Sequence, residues 1–182
     1  GSSAMFTVFT YIAPILRDVT HASTNFVTGM LVLFGIGLTL GNVWGGKSAD
    51  RSVDRTLIIS LVVLIAVLLA FSVLMQWPLP AALSILLWGA ASFALVPPLQ
   101  MRVMEAAKDA PNLASAMNIG AFNFGNAIGA ALGGAVINAG LGYPAISLAG
   151  ALMAGLGLLM VLGLSWRSRR ADSRAGREAV QA

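Results

Sequence analysis

Five charged residues, Lys47, Asp50, Arg51, Asp54 and Arg55, fall within the ten residues Gly46–Arg55. Long apolar runs lie on both sides of this stretch. Carboxylates and guanidinium groups packed this closely can form ion pairs or hold lipid phosphates. A carboxylate can also meet the end of a helix, whose free N–H groups carry roughly half a positive charge. Gly45 and Gly46 lead into the stretch, and small residues let such a turn approach neighbouring helices. Asp50 is therefore the group best placed for such a contact. The plainer reading is that these charges mark a turn between two helices.

A second set of chemically capable residues is uncharged. Asn118, Asn123 and Asn126 stand in one apolar run, with Phe122 and Phe124 among them. Their spacing lets all three lie on one broad helical face. Such amides either bond to a neighbouring helix or line a cavity together with aromatic rings. Gln100 and Tyr11 are weaker candidates of the same kind, and Asn42 fits either use. Nothing supports enzyme chemistry: there is no phosphate-binding loop, zinc motif, nucleophile elbow or carboxylate pair. With no cysteine, neither a disulfide nor a thiolate metal site is possible. No cofactor or metal is implied.

The elements that must position these residues are membrane helices. Of the 182 residues, 58% are hydrophobic and 10% charged, against about 25% charged in a typical soluble domain. A membrane helix needs about 20 apolar residues. The runs place helix A at 4–16, B at 24–46, C at 56–75, D at 81–101, E at 113–139 and F at 144–166. Helix A is too short to span, so the chain is expected to begin inside a longer helix, with Pro14 kinking its end. Ser23 or Thr24 is expected to cap helix B. Residues 1–166 form one transmembrane domain on this reading, and residues 167–182 a basic, disordered tail.

Basic residues orient the helices. Lys47, Arg51, Arg55, Arg102, Lys108 and the five arginines of the tail lie on one side, and Arg17 alone on the other. That bias places the charged loop and the C-terminus in the cytoplasm. It also explains the net charge of +4 without a nucleic-acid partner. Glycines recur every fourth residue in two helices: Gly37, Gly41 and Gly45 in B, and Gly125, Gly129 and Gly133 in E. Each set makes a flat stripe that lets backbones approach closely. The stripes either pack within one bundle or face a second half of a larger molecule.

The segment Gly46-x-x-x-Asp50-Arg51-x-x-x-Arg55 resembles the loop signature of the major facilitator superfamily; Asp54 stands where that family usually has a basic residue. Phe9–Pro14, Pro98–Val103 and Ala121–Ala127 resemble its arabinose efflux permease-like, drug-proton antiporter branch. The resemblance implies an all-α membrane protein of six transmembrane helices, the C-terminal half of a twelve-helix transporter. It implies export of small apolar compounds or sugars by alternating access and proton antiport. It sets helices A and D along the path, and B and E along the seam with an N-terminal half. Asp50 would hold the cytoplasmic side shut across that seam. Tyr11, Gln100, Asn118, Asn123 and Asn126 would face the substrate. The expected partners are the bilayer of a bacterial inner membrane, the N-terminal half, a small-molecule substrate and protons. No ionisable residue lies deep in an apolar run, so a proton carrier at membrane depth is not expected within these residues. The competing readings are a complete six-helix protein acting as a homodimeric channel or transporter, and a non-transporting structural membrane protein.

Overall fold

The computed structural model describes the backbone of residues 1–181 and the side chains of residues 1–166. These residues form eight helices and no strand: α1 (Ser2–Phe9), α2 (Ile12–Asp18), α3 (Thr24–Ala49), α4 (Val53–Leu74), α5 (Pro78–Phe93), α6 (Val96–Ala106), α7 (Pro111–Asn138) and α8 (Tyr143–Gln181). The expected helix A is α1 with α2, and the expected helix D is α5 with α6. Five stretches, α3, α4, α5–α6, α7 and α8 as far as Trp166, are long and apolar enough to cross a membrane. The pair α1–α2 is too short to join them.

Both breaks have the same cause. Proline lacks the N–H that would bond four residues back, and its ring crowds that carbonyl. Pro14 therefore disturbs the chain at Thr10, and the helix parts at Thr10–Tyr11 rather than at Pro14 itself. Pro97 and Pro98 likewise part α5 from α6 at Ala94–Leu95.

Several ends differ from expectation. Helix α3 runs on through Lys47 to Ala49, so the turn before α4 is only Asp50–Ser52. Helix α6 runs to Ala106. Arg102 and Glu105 are thus helical, in a segment rich in good helix formers, and not in a loop. Helix α8 runs to Gln181; the side chains from residue 167 on, where the tail is expected, lie outside the described residues. The expected cap of α3 is Ser23, whose hydroxyl accepts from Phe26 N–H at 3.3 Å. Ser52 caps α4 in the same way, accepting from Arg55 N–H.

The helices pack chiefly as α3 with α5, α4 with α8 and α1 with α7. Trp88, Phe71, Phe34 and Phe9 meet in the core, with the Phe34 and Trp88 rings 4.6 Å apart. Turns on the Arg17 side are tied together. Thr20 donates to the Met75 carbonyl at 2.6 Å, and the Tyr143 hydroxyl donates to Asp18.

Candidate functional site

The glycine stripes come first, because they set how the helices sit. Both stripes are covered within the described residues. A Cβ on Gly37 or Gly41 would strike the backbone of Leu86 or Ala90, and one on Gly45 would lie 2.5 Å from the Ala94 carbonyl oxygen. The α3 stripe is thus covered by α5. On α7, Gly125 meets Ser2, Gly129 the Ser3 backbone, and Gly133 the Thr7 carbonyl and the Tyr11 ring. That stripe is covered by α1. Bare backbone is useful only where another backbone can reach it, and within the described residues α5 and α1 reach it. The faces of α3 and α7 turned away from these contacts stay open, with Val32 61% exposed and Phe124 70%.

The polar candidates separate into engaged and free groups. Asn118 donates to Gln100 Oε1, and Gln100 Nε2 donates to Ser115 Oγ at 3.1 Å. This chain of amides and a hydroxyl ties α6 to α7. Tyr11 donates to the Ala130 carbonyl at 3.2 Å, so its ring and its hydroxyl both hold α7. Asn123 is exposed. Asn126 is half-buried, and its Oδ1 is buried without a hydrogen-bond partner. The structure thus joins Gln100 with Asn118 but does not bond Asn123 to either. Beside Asn118 lies a cavity of about 190 Å³, also lined by Ser2, Ser92, Leu95 and Phe122. It is smaller than a typical ligand site of about 300–1,000 Å³. Sequence reasoning missed Ser115; its position one helical turn before Asn118 was the available signal.

In the charged stretch, Asp50 and Arg51 are exposed at the end of α3, and Arg55 is exposed on α4. Gly46 lies against Pro97, the first proline of α6, with a Cβ there 4.0 Å from the proline Cβ. Among the described residues the one ion pair is Arg102 with Asp54 at 3.2 Å. The residue that departs from the family's pattern is the one that pairs. Between the loop and α6 runs a groove of about 590 Å³, which Asp50, Arg51, Met104, Glu105 and Lys108 help to line.

An all-helical bundle of long apolar helices, with its charges kept to their ends, defines an integral membrane protein. The Major Facilitator Superfamily profile matches residues 1–181, and the chain belongs to that family of membrane transporters, not to an enzyme family. It is 57% identical to the Escherichia coli (strain K12) inner membrane transport protein YdhP over 161 residues, 88% of this chain and 41% of that protein. It is 36% identical to the uncharacterized MFS-type transporter YfhI of Bacillus subtilis (strain 168), over 88% of this chain and 40% of that one. It is 32% identical to a Helicobacter pylori (strain ATCC 700392 / 26695) protein named "Probable sugar efflux transporter", over 78% of this chain and 36% of that one. The chain spans about two fifths of the length of these curated relatives.

Proposed function

We propose that the chain is the C-terminal half of a secondary active transporter that exports small apolar compounds or sugars by alternating access. The observation that carries this reading is the open face of α7. It holds Asn123 and Phe124 uncovered next to the bonded Asn118 and Gln100. An amide and a ring can orient a ligand of low polarity with few hydrogen bonds, and an N-terminal half would complete the path opposite. The sugar-efflux name of the Helicobacter relative supports the substrate class. The name of the YdhP relative supports a bacterial inner membrane. Coupling is by proton antiport, with the carrier outside these residues, because Asp, Glu, Lys, Arg and His stay at the ends of the apolar runs. The charged loop and the C-terminus lie in the cytoplasm.

The test is flux. The full-length transporter in liposomes, given an imposed pH gradient, is expected to move a labelled sugar or apolar dye against proton entry. These 182 residues alone are expected to match empty vesicles. Robust flux from the short chain would favour the homodimer reading instead.

A further inference from the structure

Two clefts on the outside of the bundle meet at Trp44 and Ile59. One, of about 280 Å³, is lined by residues of α3, α4 and α5, including Leu40, Val63 and Leu87. It exists because Gly41, Ala90, Ala91 and Ala94 also line it and fill little space. The other, of about 340 Å³, is lined by Ser48, Arg51, Ser52 and Arg55. An apolar trough therefore leads to a mouth with two guanidinium groups and the hydroxyls of Ser48, Ser52 and Thr56.

The arginines at that mouth are available. Among the described residues, the single ion pair belongs to Arg102 and Asp54, and no side-chain hydrogen bond holds Arg51 or Arg55. Of the remaining nearby carboxylates, Asp50 and Glu105 line the groove on the α6 side, which Arg51 also borders. Inside the trough, Ser60 is 2% exposed and its Oγ has no partner. A buried hydroxyl without an acceptor is unfavourable. Ser60 lies about 7.5 Å along α4 from Arg55 at a rise of about 1.5 Å per residue.

We propose that this cleft binds one anionic glycerophospholipid of the leaflet that the charged loop touches. Its phosphate sits at Arg51 and Arg55, an ester carbonyl accepts from Ser60, and one acyl chain follows Trp44, Ile59 and Val63. From Arg55 to Val63 is about 12 Å along the helix, close to the depth of one leaflet's hydrocarbon at about 15 Å. A free phosphate would leave the trough empty, and an uncharged apolar compound would leave the arginines unmatched. The inference rests on the membrane-spanning fold and is independent of the transported substrate.

Native mass spectrometry of the full chain in detergent tests it, with phosphatidylglycerol and phosphatidylcholine of equal acyl length as probes. One phosphatidylglycerol is expected to bind with a preference of about tenfold or more, since each basic residue near an anionic lipid favours it. Arg51→Gln with Arg55→Gln is expected to bring the two lipids near parity. Arg51→Gln alone, a single change at an exposed site, should lower the preference part of the way. Ile59→Trp, which fills the trough, is expected to weaken both lipids. Lys47→Gln removes a charge in the last turn of α3, outside the cleft, and should change nothing. An unchanged preference in the double variant, an equal loss with Lys47→Gln, or displacement by inorganic phosphate would overturn the proposal.

Discussion

Arg102 on α6 reaches Asp54 in the first turn of α4, Nη1 to Oδ1 at 3.2 Å. The pair clasps the end of α6 to the start of α4, beside the turn that joins α3 to α4. Both side chains are about a third exposed, so the pair contributes on the order of 0.2–1 kcal/mol. Asp54→Arg is expected to lower the melting temperature slightly and to loosen α6. Adding Arg102→Asp should restore both. Melting of the two single variants and the double swap, followed in detergent, checks this. Additive losses would show that the charges act separately.

The glycine contacts carry a much larger effect. A Cβ on Gly41 would fall on the Ala90 carbonyl oxygen and 2.7 Å from its Cα. Gly41→Ala is therefore expected to cost about 1–3 kcal/mol, the range for forced overpacking. At Gly35 nothing lies within 4 Å, and Gly35→Ala is expected to be neutral or to stabilise by about 0.5–1 kcal/mol. Thermal unfolding of the two variants, compared side by side, is the measurement.

Asn118 and Asn123 should separate structure from transport. Asn118→Leu removes the donor to Gln100 and is expected to cost on the order of 1 kcal/mol of stability. Asn123 is exposed, so Asn123→Leu should melt like the parent and change substrate preference in the full-length transporter. Transport parameters unaltered in Asn123→Leu would make that amide merely structural.

Asp50 is exposed and, among the described residues, no side-chain hydrogen bond or ion pair holds it. Its proposed partner is across the seam with an N-terminal half. Asp50→Asn in the full-length protein is expected to reach the membrane normally, lose most transport and shift towards the inward-open state. A partly buried carboxylate at a helix end is worth up to about 2 kcal/mol, enough to move a balanced equilibrium more than tenfold. Accessibility labelling reports the shift. For topology, Lys47→Cys is the better probe, because it is exposed whereas Ser52 caps α4. It is expected to resist impermeant thiol reagents in intact cells.

The spans were legible because apolar length is a local property, and the cap at Ser23 because its type and place declare it. The helix breaks were half legible: Pro14 announced the first, but the damage from Pro14 and from Pro97-Pro98 falls on the carbonyls one turn earlier, at Thr10 and Ala94. The stripes were found, yet their partners were not. Which backbone lies against Gly41 depends on how α3 docks on α5, which spacing within α3 cannot express. The same holds for Asn118 and Gln100, and for Asp54 and Arg102, whose meeting depends on where α6 points after its prolines.

A contact made of glycine has no rotamers to re-sort, so it fits in one register only. Sliding α3 by a residue would drive Leu38 or Asn42 into the Ala90 carbonyl. The pairs α3–α5 and α1–α7 thus behave as welded rods. One member of each is also the member that stops short, α1 at Phe9 and α5 at Phe93. The two joints at Thr10–Tyr11 and Ala94–Leu95 interrupt the rods, and the pieces beyond them, α2 and α6, are held by side-chain contacts instead, Asp18 by Tyr143, Gln100 by Asn118 and Arg102 by Asp54. Amide hydrogen exchange is expected to be fastest, among the buried helical segments, in the turn on either side of each joint, and slowest where Gly41 lies on Ala90. The frame is thus closest-packed where glycine meets backbone and jointed where the helices part ahead of their prolines.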